Sequence, residues 1–397
     1  MSVHGIIAEY NPFHKGHQFM MNQCREQGAS HIVVAMSGNF VQRGEPAIMD
    51  KWSRARTALL GGADLVVEIP LAWSLSSAEG FARGGVEVLN ALGCVDSLSF
   101  GSESAELPAL QSLAKAAVMP ETIENTKKYL ALKINYPSAR QKAIAESCGE
   151  STAQLLENAN DILGVEYIKA LNAIHSKIIP NPIKRIGPGH DSLKQEKSYL
   201  SASQIRKQLI AGDFSCFDFM PHEVTEIINT QLKLGRAPVK IKNIETSILS
   251  KLRVMDAVGI ERAPDISEGL ENRIVNCVRS SITIDELYDS IKTKRYTHSR
   301  IRRIIMSLFL DLKASDSKGT PPYIRVLGFN EKGQELLKQA KNTSTLPIIM
   351  KSSQIKELDE YAQRVFDLEC LSTDIYTLAM PTPLPCGMEM TENVVRV

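Results

Sequence analysis

The chain has 397 residues, enough for more than one domain at roughly 150 residues each. Its 46 Lys and Arg against 45 Asp and Glu leave a formal net charge of +1, which excludes a polycation that binds nucleic acid by bulk charge and requires any RNA contact to come from a local patch. Seven scattered cysteines without a C-x-x-C exclude a disulfide framework or cysteine zinc cluster, and with no secretory leader and no long apolar run the expectation is a soluble, cytoplasmic protein off the membrane, with no stable protein partner evident.

In chain order, short apolar runs alternate with amphipathic stretches. Residues 3–9 (VHGIIAE), 31–36 (HIVVAM), 64–69 (DLVVEI) and 96–100 (DSLSF) read as strands. Residues 17–27, 50–60 and 76–92 read as the helices between them. Strands alternating with helices at this spacing predict an α/β fold, a Rossmann-like, doubly wound parallel sheet. Residues 106–149 read as helical, and 160–173 as a helix with an Asn or Asp start signal. The stretch 177–186 (KIIPNPIKRI) reads as a broken strand that its prolines confine to an edge or split into two pieces. A helix starts near 203. After about residue 212 the texture becomes helical as far as 312. YIRVL at 323–327 and the weaker 347–350 then suggest a small α/β element near 320–380. The tail from Pro381 lacks a pattern and is expected to be mobile. The expected division is 1–212 as a sheet domain and 213–397 as a mainly helical region.

The most informative segment is NPFHKGH, residues 11–17, between the first strand and the first helix. In an open α/β sheet, ligands bind beyond the carboxyl ends of strands, and a helix N-terminus there offers free N–H groups to phosphate. Gly16 removes a Cβ where a nucleotide comes close. His14 and His17 can donate to phosphate oxygens that gain charge during transfer, and Lys15 can add a point charge or simply face solvent. The alternatives are ordinary turn and cap residues, or a metal pair that lacks a third ligand. The strand–H-x-G-H–helix context favours phosphate. A second segment, SASQIR at 201–206, puts Ser203 at an N-cap-like position and Arg206 one turn on, a set suited to β- and γ-phosphates. Simple capping by serine is its alternative.

H-x-G-H with a late S-x-S-x-x-R resembles the nucleotidyltransferase superfamily, which attacks the α-phosphate of a nucleotide and releases pyrophosphate. More of the chain is similar to the tRNA-Met cytidine acetate ligase family. The similarity rests on EYNPFHKGH, SGNFVQRGEP (37–46), KWSRAR (51–56), ADLVVEIP (63–70), FGSE (100–103), NDILGVEY (160–167), IKRIG (183–187), RIRRII (300–305) and TDIY (373–376). The resemblance implies activation of acetate by ATP to acetyl-adenylate and transfer of the acetyl group to the N4 amine of the wobble cytidine of elongator tRNA-Met. It implies ATP-binding positions at Ile7, Ala8, Glu9, Tyr10, Asn11, Pro12, Phe13, His14, Lys15, Gly16, His17, Gln18, Phe19 and Met20, and at Gly101, Asn160 and Arg185. His14, His17 and Lys15 are the expected catalytic groups. Asn160 could instead be only a helix cap, and Arg185 an exposed surface arginine. The loop after IKRIG reads GPGHDS, with His190 and Asp191 but without the Tyr the family commonly carries there, which puts that loop's role in doubt.

Acetate is already an anion, so activation needs orientation and charge neutralisation rather than a strong base. Magnesium is expected with ATP, bridging its phosphate oxygens. No protein metal ligands are identified. For RNA, KTKRYTHSRIRR at 292–303 gathers Lys292, Lys294, Arg295, Arg300, Arg302 and Arg303 around Tyr296 and His298, with no acidic residue. A solvated helix face is the alternative. Lys51, Arg54 and Arg56 read as a second basic face, and Gln42 and Arg43 as loop residues within reach of a splayed base. Asp64 and Glu68 either border the site or cap the sheet. Two other functions remain open from the residues: adenylylation of a small cofactor precursor, and a non-catalytic RNA-binding protein with a nucleotide site.

Overall fold

The computed structural model describes all residues except 186–199, 268 and 295. Its strands are β1 (Val3–Ala8), β2 (His31–Ser37), β3 (Phe40–Val41), β4 (Glu45–Pro46), β5 (Leu65–Ile69), β6 (Ser97–Ser102), β7 (Ile179–Lys184), β8 (Ile324–Phe329), β9 (Ile348–Ile349) and β10 (Val395–Arg396). β3 and β4 form a separate hairpin; the other eight form one sheet in the order β10-β8-β5-β2-β1-β6-β7, with β9 beside β8. The four strands expected in the first 110 residues and the three helices between them, Lys15–Glu26, Lys51–Leu60 and Ala78–Ala91, are present.

From β5 to β7 every neighbour is parallel, and the chain winds outward in both directions from β1. β2 and β5 are buried along their whole length, as helices packed on the sheet require of central parallel strands. Helix Ala78–Ala91 packs on β1, β2 and β5, and helix Glu331–Thr343 on β2, β5 and β8. β7 takes Pro180 and Pro182 because it is an edge strand, where a missing N–H costs no ladder bond.

Two features differ from the sequence expectation. The strands after residue 320 do not form a sheet of their own. β8 runs antiparallel to β5, with Leu65 opposite Phe329, so one mixed sheet draws strands from both sides of the 212/213 division. The physical reason is that β5 is buried on both faces and would otherwise present an open edge. The tail after Pro381 is also tied down. The Gly387 N–H donates to Asp374 Oδ1 at 2.7 Å, Glu389 is fully buried, and β10 pairs with β8.

Candidate active site

The strand order β5-β2-β1-β6-β7 reverses direction at β1, so the crevice between the carboxyl ends of β1 and β6 is the topological switch point where open α/β sheets hold ligands. Helix Lys15–Glu26 begins there with His14 as its N-cap in extended backbone. The cap is built from two histidines. His14 Nδ1 accepts the Gly16 N–H at 3.0 Å, and His17 Nδ1 accepts the His14 N–H at 3.2 Å. The rings stack with centroids 3.8 Å apart. Because each Nδ1 lone pair is used as an acceptor, hydrogen-bond geometry assigns the ring proton of both residues to Nε2.

Burial pushes His14 down to about 3, helped by the Arg185 and Arg206 guanidinium groups. Burial, His14 and Arg185 likewise hold His17 well below the ordinary imidazole value. Both rings are therefore neutral Nε2–H donors at physiological pH. Two consequences follow. A reaction that relies on these two donors should show no inflection near pH 6.5 from them, measured as a pH profile of its rate between pH 5.5 and 8. Folded values below the unfolded value near 6.5 mean that the unfolded state binds the extra protons. The histidine contribution to stability is thus complete above about pH 6.5 and declines as pH falls toward 3.

Arg206 reaches the same loop from helix Ala202–Ala211, donating from Nη1 to the Asn11 carbonyl at 2.7 Å. The cap of that helix is Ser201, not Ser203. Ser201 and Gln204 form a reciprocal capping box, and the Ser203 hydroxyl lies 3.0 Å from Ser201 Oγ. The S-x-x-Q spacing that sets this frame is visible in the sequence. On the other side of the crevice, Arg185 lies at 3.4 Å from Asn160 Oδ1 and over Gly101, where a Cβ would stand 3.1 Å from Arg185 Cγ. Asn160 is not the helix cap. Glu103 takes that role, accepting from Asn160 Nδ2 at 2.5 Å and from the Asp161 N–H at 3.0 Å. Lys15 is exposed, and its ammonium donates to the Asp218 carbonyl at 2.6 Å. His190, Asp191 and Arg295 lie outside the described residues.

The basic groups divide differently from their spacing in sequence. Lys292 and Lys294 are exposed. The described arginines of the same run are engaged within the fold. Arg300 donates to the Asp265 carbonyl and Ser267 Oγ, Arg302 pairs with Glu45 at 2.6 Å, and Arg303 meets Asp265 at 3.4 Å. Tyr296 is buried under Arg300, so its ring is covered against base stacking. Lys51 and Arg54 are fully buried, which leaves Arg56 as the exposed member of the expected second basic face. Asp64 sits at the opposite end of the sheet, held by Arg25 and accepting the Ile32 N–H, and Glu68 binds Lys51 inside the core; neither borders the crevice.

Arg54, expected on a basic face, is instead a buried clamp beside the crevice, a role that sequence reasoning missed. Its guanidinium donates to the carbonyls of Met49, Glu9, Ser37 and Gly38, clamping the ends of β1 and β2 together. The β3–β4 hairpin then bridges the crevice to the helical region. The Gln42 N–H donates to Glu9 Oε1 at 2.9 Å, and Glu45 binds Arg302 of helix His298–Phe309. Gly44 has a φ of 79° and lies on the backbone of Arg302 and Arg303, where a Cβ has no room. Only the alternation of the hairpin could have signalled this joint; nothing in the spacing pairs residue 45 with residue 302.

A family described as HIGH Nucleotidyl Transferase matches residues 1–388. A tRNA(Met) cytidine acetate ligase of Acetivibrio thermocellus is 39% identical over 413 residues, covering 100% of both chains. The protein of that name from Caldanaerobacter subterraneus subsp. tengcongensis is 40% identical over 386 residues, covering 96% of each. Among solved structures, apo Thermotoga maritima TmcAL matches with a TM-score of 0.95 at 33% identity, over 100% of both chains. The same protein bound with alpha-thio ATP matches with a TM-score of 0.93, again over 100% of both chains. Similarity of this extent, on a nucleotidyltransferase sheet with its histidine cap in place, means that the chain belongs to the tRNA(Met) cytidine acetate ligase family.

Proposed function

We propose that this chain activates acetate with ATP, releasing pyrophosphate, and transfers the acetyl group from acetyl-adenylate to the N4 amine of the wobble cytidine of elongator tRNA-Met, in the cytoplasm. The observation that carries the reading is the pair of neutral histidine donors at the helix N-terminus, with Arg206 and Arg185 beside them. Helix dipole, Nε2–H groups and guanidinium groups together suit an α-phosphate that gains charge as acetate attacks. His14 and His17 orient the α-phosphate, while Arg206, Ser203 and the arginine of IKRIG hold the leaving pyrophosphate. Gly101 and Asn160 line the nucleoside side.

Among the described residues no three His, Cys, Asp or Glu side chains gather to hold a metal. Magnesium carried on the phosphate oxygens needs no such cluster, and when bound it supplies charge neutralisation there. No described helix is long and apolar enough to cross a membrane.

RNA contact falls to the exposed Lys292 and Lys294 and to the hairpin tip at Gln42 and Arg43, while Arg300, Arg302 and Arg303 hold the supporting helix in place. Replacing Lys292 and Lys294 by alanine should lower the slope of log affinity against log salt by about 1 for each lost phosphate contact, uniformly across RNA sequences. Filter binding of a tRNA-Met transcript over a salt series measures it.

The test of the whole reading is pyrophosphate release from ATP, with and without acetate and bacterial tRNA, followed by nucleoside analysis of that tRNA. Acetate-dependent release with new N4-acetylcytidine supports it. Release without acetate dependence sinks the ligase reading, and turnover with another small acceptor favours a cofactor adenylyltransferase. RNA binding without any turnover favours a non-catalytic protein.

A further inference from the structure

We propose that Glu9 is the proton acceptor for the attacking amine in the acyl-transfer step, an inference that rests on the ligase reading above. The transfer must dispose of one proton. The N4 lone pair forms a C–N bond to the acetyl carbon, the C–O bond to AMP breaks with its electron pair leaving on the phosphate, and an N–H proton is released.

His14 and His17 cannot collect that proton, because each Nδ1 already accepts a main-chain N–H and each Nε2 already carries a hydrogen. Lys15 is a cation tied to the Asp218 carbonyl. Glu103 is used in capping a helix, and Glu45 is paired with Arg302.

Glu9 differs from all of these. It follows β1 directly, at the switch point. Its main chain is immobilised by the buried Arg54, whose Nη1 donates to the Glu9 carbonyl at 2.5 Å. Its Oε1 accepts the Gln42 N–H of the hairpin at 2.9 Å, while Oε2 accepts no hydrogen bond from the described residues. Among the described residues, the charged and titratable groups facing it include Arg206 from helix Ala202–Ala211, Arg54 from helix Lys51–Leu60 and Tyr167 from helix Ala159–Ala173; Arg206 in turn feels Arg43 and Glu45 of the hairpin.

Glu9 is docked on the hairpin that carries Gln42 and Arg43, the proposed RNA contacts, and the proposal therefore sets it beside the arriving acceptor base. Its open oxygen is a hydrogen-bond acceptor for the N4 amino group in the approach and takes its proton in the step.

The experiment uses the full chain with ATP and acetate and compares two acceptors. Hydroxylamine traps the adenylate as acetohydroxamate without needing a base from the protein; a tRNA-Met transcript reports the complete transfer. The Glu9→Gln variant keeps an oxygen for the Gln42 N–H and should lower tRNA acetylation about 10²–10³-fold relative to acetohydroxamate formation. Glu9→Asp, which retains a carboxylate, should recover part of that ratio. Equal loss of both products would assign Glu9 to the nucleotide step, and an unchanged ratio would hand the proton to the departing AMP phosphate; either result overturns the proposal. A wild-type chain that forms no acetohydroxamate overturns the ligase reading together with it.

Discussion

Replacing His17 with alanine is expected to reduce acetate-dependent pyrophosphate release by about 10²–10³-fold, the loss typical of one preorganised donor to a developing oxyanion. The substitution removes the Nε2–H aimed out of the cap and the acceptor of the His14 N–H. The stacked partner ring also loses its neighbour at 3.8 Å. His14→Ala should cost a similar factor, because its Nδ1 holds the Gly16 N–H at 3.0 Å and its ring completes the cap. The double variant should lose little more than either single one, since the two rings act as one unit. Steady-state kinetics check this. The fall should lie in kcat, with a smaller change in the KM for ATP, because the donors meet their full charge in the transition state. Equal losses in ground-state affinity and rate would instead mean that the cap only holds the loop in shape.

Lys51→Met is expected to destabilise the fold by about 3–5 kcal/mol, the cost of removing one partner from a buried ion pair. Lys51 is 0% exposed and lies 2.7 Å from Glu68, 2.8 Å from Glu389 and 3.8 Å from Glu369. Arg325 adds a second cation at 3.0 Å from Glu389. Burial and the neighbouring Glu68 push the Glu369 carboxyl well up. Against the pull of burial, Lys51 and Arg325 hold Glu389 below the ordinary carboxylate value. Removing Lys51 leaves negative charge in a low-dielectric core. Equilibrium urea unfolding measures the loss. Lys51→Met combined with Glu389→Gln should lose less than the sum of the single changes, since the second removes the charge the first strands. Strict additivity would show that the groups do not act together.

This cluster also ties segments from distant parts of the chain to the sheet. Lys51 belongs to the helix after the hairpin, Arg325 to β8, and Glu369 and Glu389 to the C-terminal helices. Asn39, in the turn after β2, accepts the Lys51 N–H through Oδ1 and donates through Nδ2 to Thr373. The C-terminal helix also donates from the Tyr376 hydroxyl to the Ala47 carbonyl, next to Ile48, whose N–H donates to Asn11 Oδ1.

Local chemistry was enough to read the first strands, the helices between them and the place of H-x-G-H at a helix N-terminus, where capping stood as the alternative to phosphate binding, because each depends on period, turn residues and neighbours a few positions apart. H-x-G-H is legible for that reason: a cap is a contact between residues three positions apart. The edge position of β7 was legible as well, since proline cannot donate to a ladder. Long-range pairing left no such trace. Whether Lys51 and Arg54 meet water or carboxylates, whether Arg302 meets RNA or Glu45, and whether β8 founds a second sheet or closes the first all depend on groups brought together from distant parts of the chain. A basic run in a sequence records charge but not burial. Only the fold chose which charges are spent on its own carbonyls and carboxylates, because desolvating a cation forces it to find a partner inside, whatever its neighbours in sequence are.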